Sequence, residues 1–326
     1  MSKLIIMVGL PGSGKSTFIE NYWDKSYKIF SSDKYREIIL GDEKDQSNNN
    51  KIFDILYGDL ETALKFGYNC ILDATNCTYK SRVKAIQLGK KYSYTIEARV
   101  ICQPIETCIK QDSKRNRTVG ENVIKKFASS YQFPQYWEGF DEISITYLNH
   151  DAYNQGSFED KCEEISKNNI KNLKLKMDSF EQSNPHHNKT VGKHSDAIVT
   201  QIDCEYNKGN INKEEKSILT FAAKWHDLGK LYTQTFDDQG VAHYFGHANY
   251  SVLKILDYIY YYEINFGELD KKDFIEALFY VNNHMVIREI LKSEKAISKW
   301  KDKWGERRFN LLVSFSKWDD KACLNI

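Results

Sequence analysis

Residues Gly9-Leu10-Pro11-Gly12-Ser13-Gly14-Lys15-Ser16-Thr17 fill the spacing G-x-x-x-x-G-K-[ST] directly after the apolar run Leu4-Ile5-Ile6-Met7-Val8. Such a loop holds phosphate because its glycines turn successive backbone N–H groups inward, at the mouth of a helix expected to start near Lys15. Lys15 should reach the β- and γ-phosphates, and Ser16 should hold Mg²⁺. The loop alone does not choose between ATPases, GTPases and kinases.

Three further places narrow the choice. In Ser31-Ser32-Asp33-Lys34-Tyr35-Arg36, Asp33 is placed to accept the proton of an attacking hydroxyl, or else to cap a helix ahead of Tyr35. Arg36, one helical turn on, could grip a phosphate of the acceptor. Asp73-Ala74-Thr75-Asn76 closes an apolar run, where Asp73 suits Mg²⁺ or the positioning of nearby loops. Lys114-Arg115-Asn116-Arg117, in a polar stretch expected to be helical, would form a lid whose arginine offsets charge on a transferring phosphoryl group.

The other half is rich in histidine. Six of the eight histidines fall between positions 186 and 247, and His284 follows. In order, His194, the pair His226-Asp227 and Asp319 offer imidazole and carboxylate, ligands suited to a divalent metal that activates water. Mn²⁺, Co²⁺, Ni²⁺, Zn²⁺ and Fe²⁺ all accept them. His186, His187 and His243 read as surface or supporting residues.

The elements that must position these residues differ between the halves. Strands expected at 4–8, 27–31, 69–73, 95–101 and 142–147 alternate with helices, which implies a parallel sheet with ligand chemistry at the carboxyl ends of its strands. Gly9 and Asp73 both sit at such ends. From His150 to Asn184 the chain turns charged and polar, placing a domain boundary near residue 155. Beyond it the period becomes helical, as in Ile218-Leu219-Phe221-Ala222-Trp225 and Val252-Ile255-Leu256-Ile259-Tyr260. The expectation is an α/β domain over 1–155 and an all-α domain over 156–326. The tract Ser47-Asn48-Asn49-Asn50 reads as a surface turn.

Length and charge agree with this division. The 326 residues suffice for about two cores. Lys plus Arg total 46 against 45 Asp plus Glu, which excludes a globally basic nucleic-acid coat but not a local groove. Seven scattered cysteines without C-x-x-C spacing favour reduced thiols. Neither a long apolar run nor a signal-peptide pattern is present, so a soluble cytoplasmic protein with no membrane partner is expected.

Together the residues of the first half resemble the 5′-hydroxyl polynucleotide kinase family of nucleic-acid repair. The shared features are G-x-P-G-S-G-K-S-T at Gly9 to Thr17, Asp-x-x-Arg at Asp33 and Arg36, D-x-T-N at Asp73 to Asn76, and an arginine-bearing lid. The segment from Phe133-Pro134 to Glu142 is also similar. The resemblance implies ATP and Mg²⁺ as ligands, Asp33 as general base for a 5′-OH, Arg36 on the acceptor's 3′-phosphate, and Arg115 or Arg117 as the lid arginine.

The second half resembles the HD phosphohydrolase superfamily, whose ligands run H…HD…D on an all-α fold. His226-Asp227-Leu228-Gly229-Lys230 carries the likeness, supported by Asn184-Pro185-His186-His187 and His194. It implies His194, His226, Asp227 and Asp319 as ligands of one metal, with Asp320 as the alternative last ligand. His247 and His284 match positions that hold a second metal or the scissile phosphate, and Lys230 would neutralise a phosphate oxygen.

The pairing implies an end-healing enzyme that phosphorylates 5′-OH ends and removes a 3′-phosphate or 2′,3′-cyclic phosphate, acting on RNA or DNA ends, RNA favoured, beside a separate RNA ligase. No Asp-x-Asp-Gly-Thr phosphatase motif is present. Two alternatives stay open. One is a nucleoside kinase fused to a nucleotidase. The other is a polynucleotide kinase whose second half only binds RNA, with Tyr258-Tyr260-Tyr261-Tyr262 stacking on bases.

Overall fold

In the computed structural model, residues 2–41, 48–115, 118–147, 158–183, 188–259, 263 and 267–323 are described, with backbone alone over 158–166. The chain divides into two compact units, 1–152 and 153–326.

The first unit is built on β1 (Lys3–Val8), β2 (Lys28–Ser31), β3 (Cys70–Asp73), β4 (Thr95–Cys102) and β5 (Glu142–Tyr147). They form one parallel sheet in the order β2-β3-β1-β4-β5. Leu4 to Val8 are fully buried, as a central parallel strand covered on both faces requires. One side of the sheet packs Ile5, Met7, Ile71 and Ile101 against Phe18 and Ile19 of helix α1 (Lys15–Tyr22). Strands that follow β1 in the sequence lie on both sides of it, so the crevice at its carboxyl end is where an open α/β sheet takes its ligand.

Further helices complete the unit: α2 (Ser32–Leu40), α3 (Asn49–Lys65), α4 (Tyr79–Lys91), α5 (Ile105–Asp112) and α6 (Glu121–Ser129). Two local expectations are corrected. Asn49 and Asn50 open helix α3 instead of forming a surface turn; Ser47 lies outside the described residues. Lys114 and Arg115 are not helical, because α5 ends at Asp112; Asn116 and Arg117 lie outside the described residues. The buried Asp112 carboxylate accepts hydrogen bonds from the amides of Val119 (3.0 Å) and Gly120 (3.0 Å), tying the start of α6 to the end of α5.

The second unit is helical: α7 (Phe158–Ser179), α8 (Val191–Asn207), α9 (Lys213–Trp225), the short α10 (Lys230–Thr233), α11 (His247–Tyr258), and helices over Lys271–Asn283, Val286–Ile290, Glu294–Trp304 and Glu306–Cys323. The charged stretch near the boundary is mostly α7, which buries Leu173 and Met177. The apolar period of α9 does what its spacing demands: Ile218, Leu219, Phe221, Ala222 and Trp225 are all buried. The all-α expectation needs one correction, a two-stranded antiparallel hairpin of Thr235–Phe236 and Ala242–His243. Its turn is tied by Asp237, which accepts from the amides of Gln239 and Val241. Among the described residues no helix is long and apolar enough to cross a membrane.

Candidate active sites

The loop between β1 and α1 takes the expected cradle shape. Gly12 has φ 77°, and a Cβ there would run into the Cys108 carbonyl, so this position needs glycine twice over. Gly14 caps α1 in the left-handed conformation. Lys15 Nζ donates to the carbonyls of Gly9 (2.9 Å) and Leu10 (2.8 Å), at the edge of the cradle. Burial pushes the Lys15 ammonium below its ordinary pKa, as expected for a charge whose partners are mainly neutral carbonyls. Ser16 Oγ donates to Asp73 Oδ2 at 3.0 Å. Burial raises the Asp73 carboxyl, against the pull of Lys15 and the hydroxyls of Ser16 and Ser31.

One cavity of about 740 Å³ gathers most of the residues singled out in the first half. Pro11, Gly12, Gly14, Lys15, Ser16 and Thr17 line it with Asp33, Arg36, Asp73 and Arg115. Gly9 and Ser13 complete the loop behind; Arg117 lies outside the described residues. Ser31, not Asp33, occupies the cap position of α2, which leaves the Asp33 carboxylate in the first turn and 41% exposed. Arg36 is buried and turned inward: its Nη1 donates to Asp33 Oδ1 at 2.6 Å and its Nε to Asn49 Oδ1 at 3.1 Å. These contacts orient Asp33 and hold Arg36 at the wall of the cavity.

Sequence reasoning missed several supports of this cavity. Asn49 and Phe53, one turn apart on α3, line it beside Asp33, yet α3 carries no motif. Fully buried Arg82 joins Glu138 through two 2.7 Å hydrogen bonds and also donates to the carbonyls of Asn76 (2.8 Å) and Gln132 (2.9 Å). Asn76, at φ 47°, returns a hydrogen bond to the Met7 carbonyl, and Gly9 N–H donates to Thr75 O. A buried ion pair thus fixes the loop that carries Asp73 against the phosphate cradle. Glu138 sits in a segment noted only for its likeness to a family, and Arg82 gave no signal.

In the second unit six side chains from five segments converge: His194 (α8), His226 at the carboxyl end of α9 with Asp227 next to it, His247 (first residue of α11), His284 just after Lys271–Asn283, and Asp319 in the last helix. All are buried. Ligand atoms of His194, His226 and Asp227 lie within 4.8 Å of one another; so do those of His226, His284 and Asp319, and of Asp227, His247 and His284. Asp227 spans the cluster. Its Oδ2 is 3.4 Å from His226 Nε2, and its Oδ1 is 3.2 Å from His247 Nε2. Asp319 Oδ1 is 2.8 Å from His194 Nε2, while Asp320 points outward, 61% exposed.

The tautomers are set from behind. His226, His247 and His284 each donate Nδ1–H to the backbone carbonyl three residues earlier, at 2.8 to 2.9 Å. Their Nε2 atoms then face the centre as acceptors, the arrangement of metal-binding imidazoles. Nε2 of His247 and His284 stand 3.1 Å apart, and His226 Nε2 is buried without a hydrogen-bond partner among the described residues. Lone pairs so placed repel unless a cation or proton lies among them. Ligands about 2.1 Å from one ion stand roughly 3.0–3.4 Å apart, so the cage fits one or two divalent metals.

With no ion in the cage, its carboxylates favour a proton on His226 in the place a cation would take. Burial alone would raise Asp227 and lower His226, but the pair, with Lys230 and Asp319, reverses both: Asp227 falls well below the carboxylate range and His226 rises to about 10. Burial, then the neighbouring His226 and His247, pushes His284 down to about 3. Lys230 Nζ lies 2.7 Å from Asp227 Oδ2 and donates to Gln182 Oε1, a support the sequence did not flag. Gly229 permits the close packing of this turn, since a Cβ there would strike the His247 carbonyl. His243 pairs with Asp237 on the hairpin (2.9 Å), a surface role; His186 and His187 lie outside the described residues, as do Tyr260 to Tyr262. No disulfide joins the described cysteines 70, 77, 102, 108, 204 and 323 to one another.

Comparison with known proteins agrees with the first unit. Residues 4–134 match the family model of an AAA domain. The chain is 24% identical over 248 residues to L-seryl-tRNA(Sec) kinase of Methanococcus maripaludis, across 72% of this chain and 93% of that protein. It is 25% identical over 150 residues to a protein of Acanthamoeba polyphaga mimivirus whose name pairs a polynucleotide phosphatase with a kinase, across 43% of this chain and 32% of that protein. A chain of the Pnkp1/Rnl/Hen1 RNA repair complex is 26% identical, with a TM-score of 0.36, over 39% of this chain and 42% of that one. The first unit is a P-loop kinase-like α/β domain on a five-stranded parallel sheet, and a helical region follows it.

Proposed function

We propose that this protein heals both ends of a broken polynucleotide: the first unit phosphorylates a 5′-OH from ATP, and the second removes a 3′-phosphate or 2′,3′-cyclic phosphate with divalent metal. The observation that carries the reading is that one chain holds a phosphate cradle lined by an accessible carboxylate, and a buried imidazole–carboxylate cage.

In the cradle, Asp33 accepts the proton of the attacking 5′-OH while its oxygen bonds the γ-phosphorus and ADP leaves. Arg36 keeps that carboxylate aimed through its 2.6 Å contact. Loop amides and Lys15 hold the phosphates, Ser16 and Asp73 are the side chains suited to Mg²⁺, and Arg115, with Arg117, offsets charge from the lid side.

In the cage, His194, His226, Asp227 and Asp319 would hold one ion, and Asp227, His247 and His284 a second. Ions held there would polarise a phosphate ester and activate water. The chain's own part is to fix every Nε2 inward and to place Lys230 where it neutralises a phosphate oxygen. The metal is one of Mn, Co, Ni, Zn or Fe.

The mimivirus relative's name supports a polynucleotide substrate and the pairing of phosphatase with kinase; RNA ends, with a separate RNA ligase using the product, are our favoured form of that reading. A second reading comes from the Methanococcus relative: the acceptor would be the hydroxyl of an aminoacylated tRNA. Labelled ATP offered with 5′-OH RNA, 5′-OH DNA, a free nucleoside and seryl-tRNA separates these. Transfer to oligonucleotide ends supports the proposal. Transfer confined to nucleoside or seryl-tRNA overturns it.

A further inference from the structure

Of the two cage carboxylates, Asp227 is held from within by Lys230, whereas Asp319 is held from outside by a residue that belongs to no motif. Arg288 lies on the short helix Val286–Ile290, one turn beyond His284. Its Nη2 is 2.7 Å from Asp319 Oδ2 and 2.8 Å from Asp320 Oδ1. The guanidinium therefore takes the outward oxygen of Asp319, and the inward Oδ1 is left facing His194 Nε2 at 2.8 Å and His226 Nε2 at 3.7 Å. Arg288 Nε has no hydrogen-bond partner among the described residues, so these two carboxylates are what fix the side chain.

A carboxylate on a helix can rotate about χ2 and exchange its oxygens. Without an outside partner, Asp319 would sample orientations that withdraw Oδ1 from the cage. We infer that Arg288 is a positioning residue for metal binding: it locks Asp319 so that the ion shared by His194, His226, Asp227 and Asp319 is bound tightly, and Asp320 anchors the lock. This rests on the cage reading above. His284 Nε2 stands 3.1 Å from His247 Nε2 and 3.8 Å from Asp227 Oδ1, whereas Arg288 contacts only Asp319 among the cage ligands. The arginine should therefore matter for one metal position and not for the other.

The test is uptake of Mn²⁺ by the full chain, with free Mn²⁺ read by electron paramagnetic resonance and no phosphate substrate present. The native chain should take up two ions. Arg288→Gln should weaken one of the two steps by about 10- to 100-fold, the usual effect of removing an outer partner of a ligand, and leave the other unchanged. Arg288→Lys, which keeps the charge with one contact, should fall between. Asp320→Asn should weaken the same step less. Two unchanged steps in Arg288→Gln, or both weakened equally, would overturn the positioning role. No Mn²⁺ uptake by the native chain would instead remove the cage reading beneath it.

Discussion

Ser16 Oγ donates to Asp73 Oδ2 across 3.0 Å, which joins the first turn of α1 to the end of β3. The hydroxyl suited to Mg²⁺ and the carboxylate suited to orient it are therefore already in contact, on two elements that the parallel sheet brings side by side. Ser16→Ala should raise the Mg²⁺ concentration needed for half-maximal phosphoryl transfer by about tenfold, equivalent to roughly 1.4 kcal/mol. A magnesium titration at saturating ATP reads this directly, and an unchanged midpoint would remove Ser16 from the metal's surroundings.

The Arg82–Glu138 pair predicts a stability effect with a distinctive rescue. Glu138→Gln leaves the Arg82 charge buried without its counter-ion and should cost about 3–5 kcal/mol in urea unfolding of the first unit. Replacing both residues, Arg82→Met with Glu138→Leu, should recover most of that loss while lowering kinase activity, because the Asn76 and Gln132 carbonyls lose their donor. Equal instability of the single and double variants would mean that the pair is not what holds the loop.

Gly12→Ala should abolish nucleotide binding more than it harms folding. The added methyl meets the Cys108 carbonyl at a position with φ 77°, so the cradle itself must shift. Calorimetry with ATP should show at least a tenfold loss of affinity, set against a fall in melting temperature of only a few degrees.

Metal should stabilise the second unit by mass action. At about one hundred times the dissociation constant a bound ion adds roughly 2.7 kcal/mol, so the melting temperature should rise on adding Mn²⁺ and fall again with chelator. Asp227→Ala, which removes both oxygens that span the cage, should erase the rise. An identical rise in Asp227→Ala would place the ion elsewhere.

How much of this was legible in the sequence follows from how locally each feature is encoded. The phosphate loop, the strand before it and the Asp33–Arg36 step lie within single elements, and their positions in the fold follow from backbone rules that span a few residues. Strands read at 27–31 and 142–147 appear at Lys28–Ser31 and Glu142–Tyr147. The cage ligands could be ordered along the chain but not placed, since five segments must pack before His194 meets Asp319. What escaped were partners chosen by packing: Asn49 beside Arg36, Glu138 across from Arg82, and Arg288 behind Asp319. Each is an ordinary polar residue at a spacing that says nothing by itself. The helix expected at Lys114 and Arg115 is absent for a related reason. The polar composition suits a helix, but α5 ends at Asp112, whose carboxylate captures the amides of Val119 and Gly120.

The central claim is that two independent chemistries occupy the two units. The most direct measurement follows both ends of one RNA oligonucleotide, carrying a 5′-OH and a 3′-phosphate, in the presence of ATP, Mg²⁺ and Mn²⁺. Asp33→Ala should lose 5′ phosphorylation and keep 3′ phosphate release, and Asp227→Ala should do the reverse. Loss of both activities in either variant, or no 3′ release by the native chain with any of the five metals, would contradict the account.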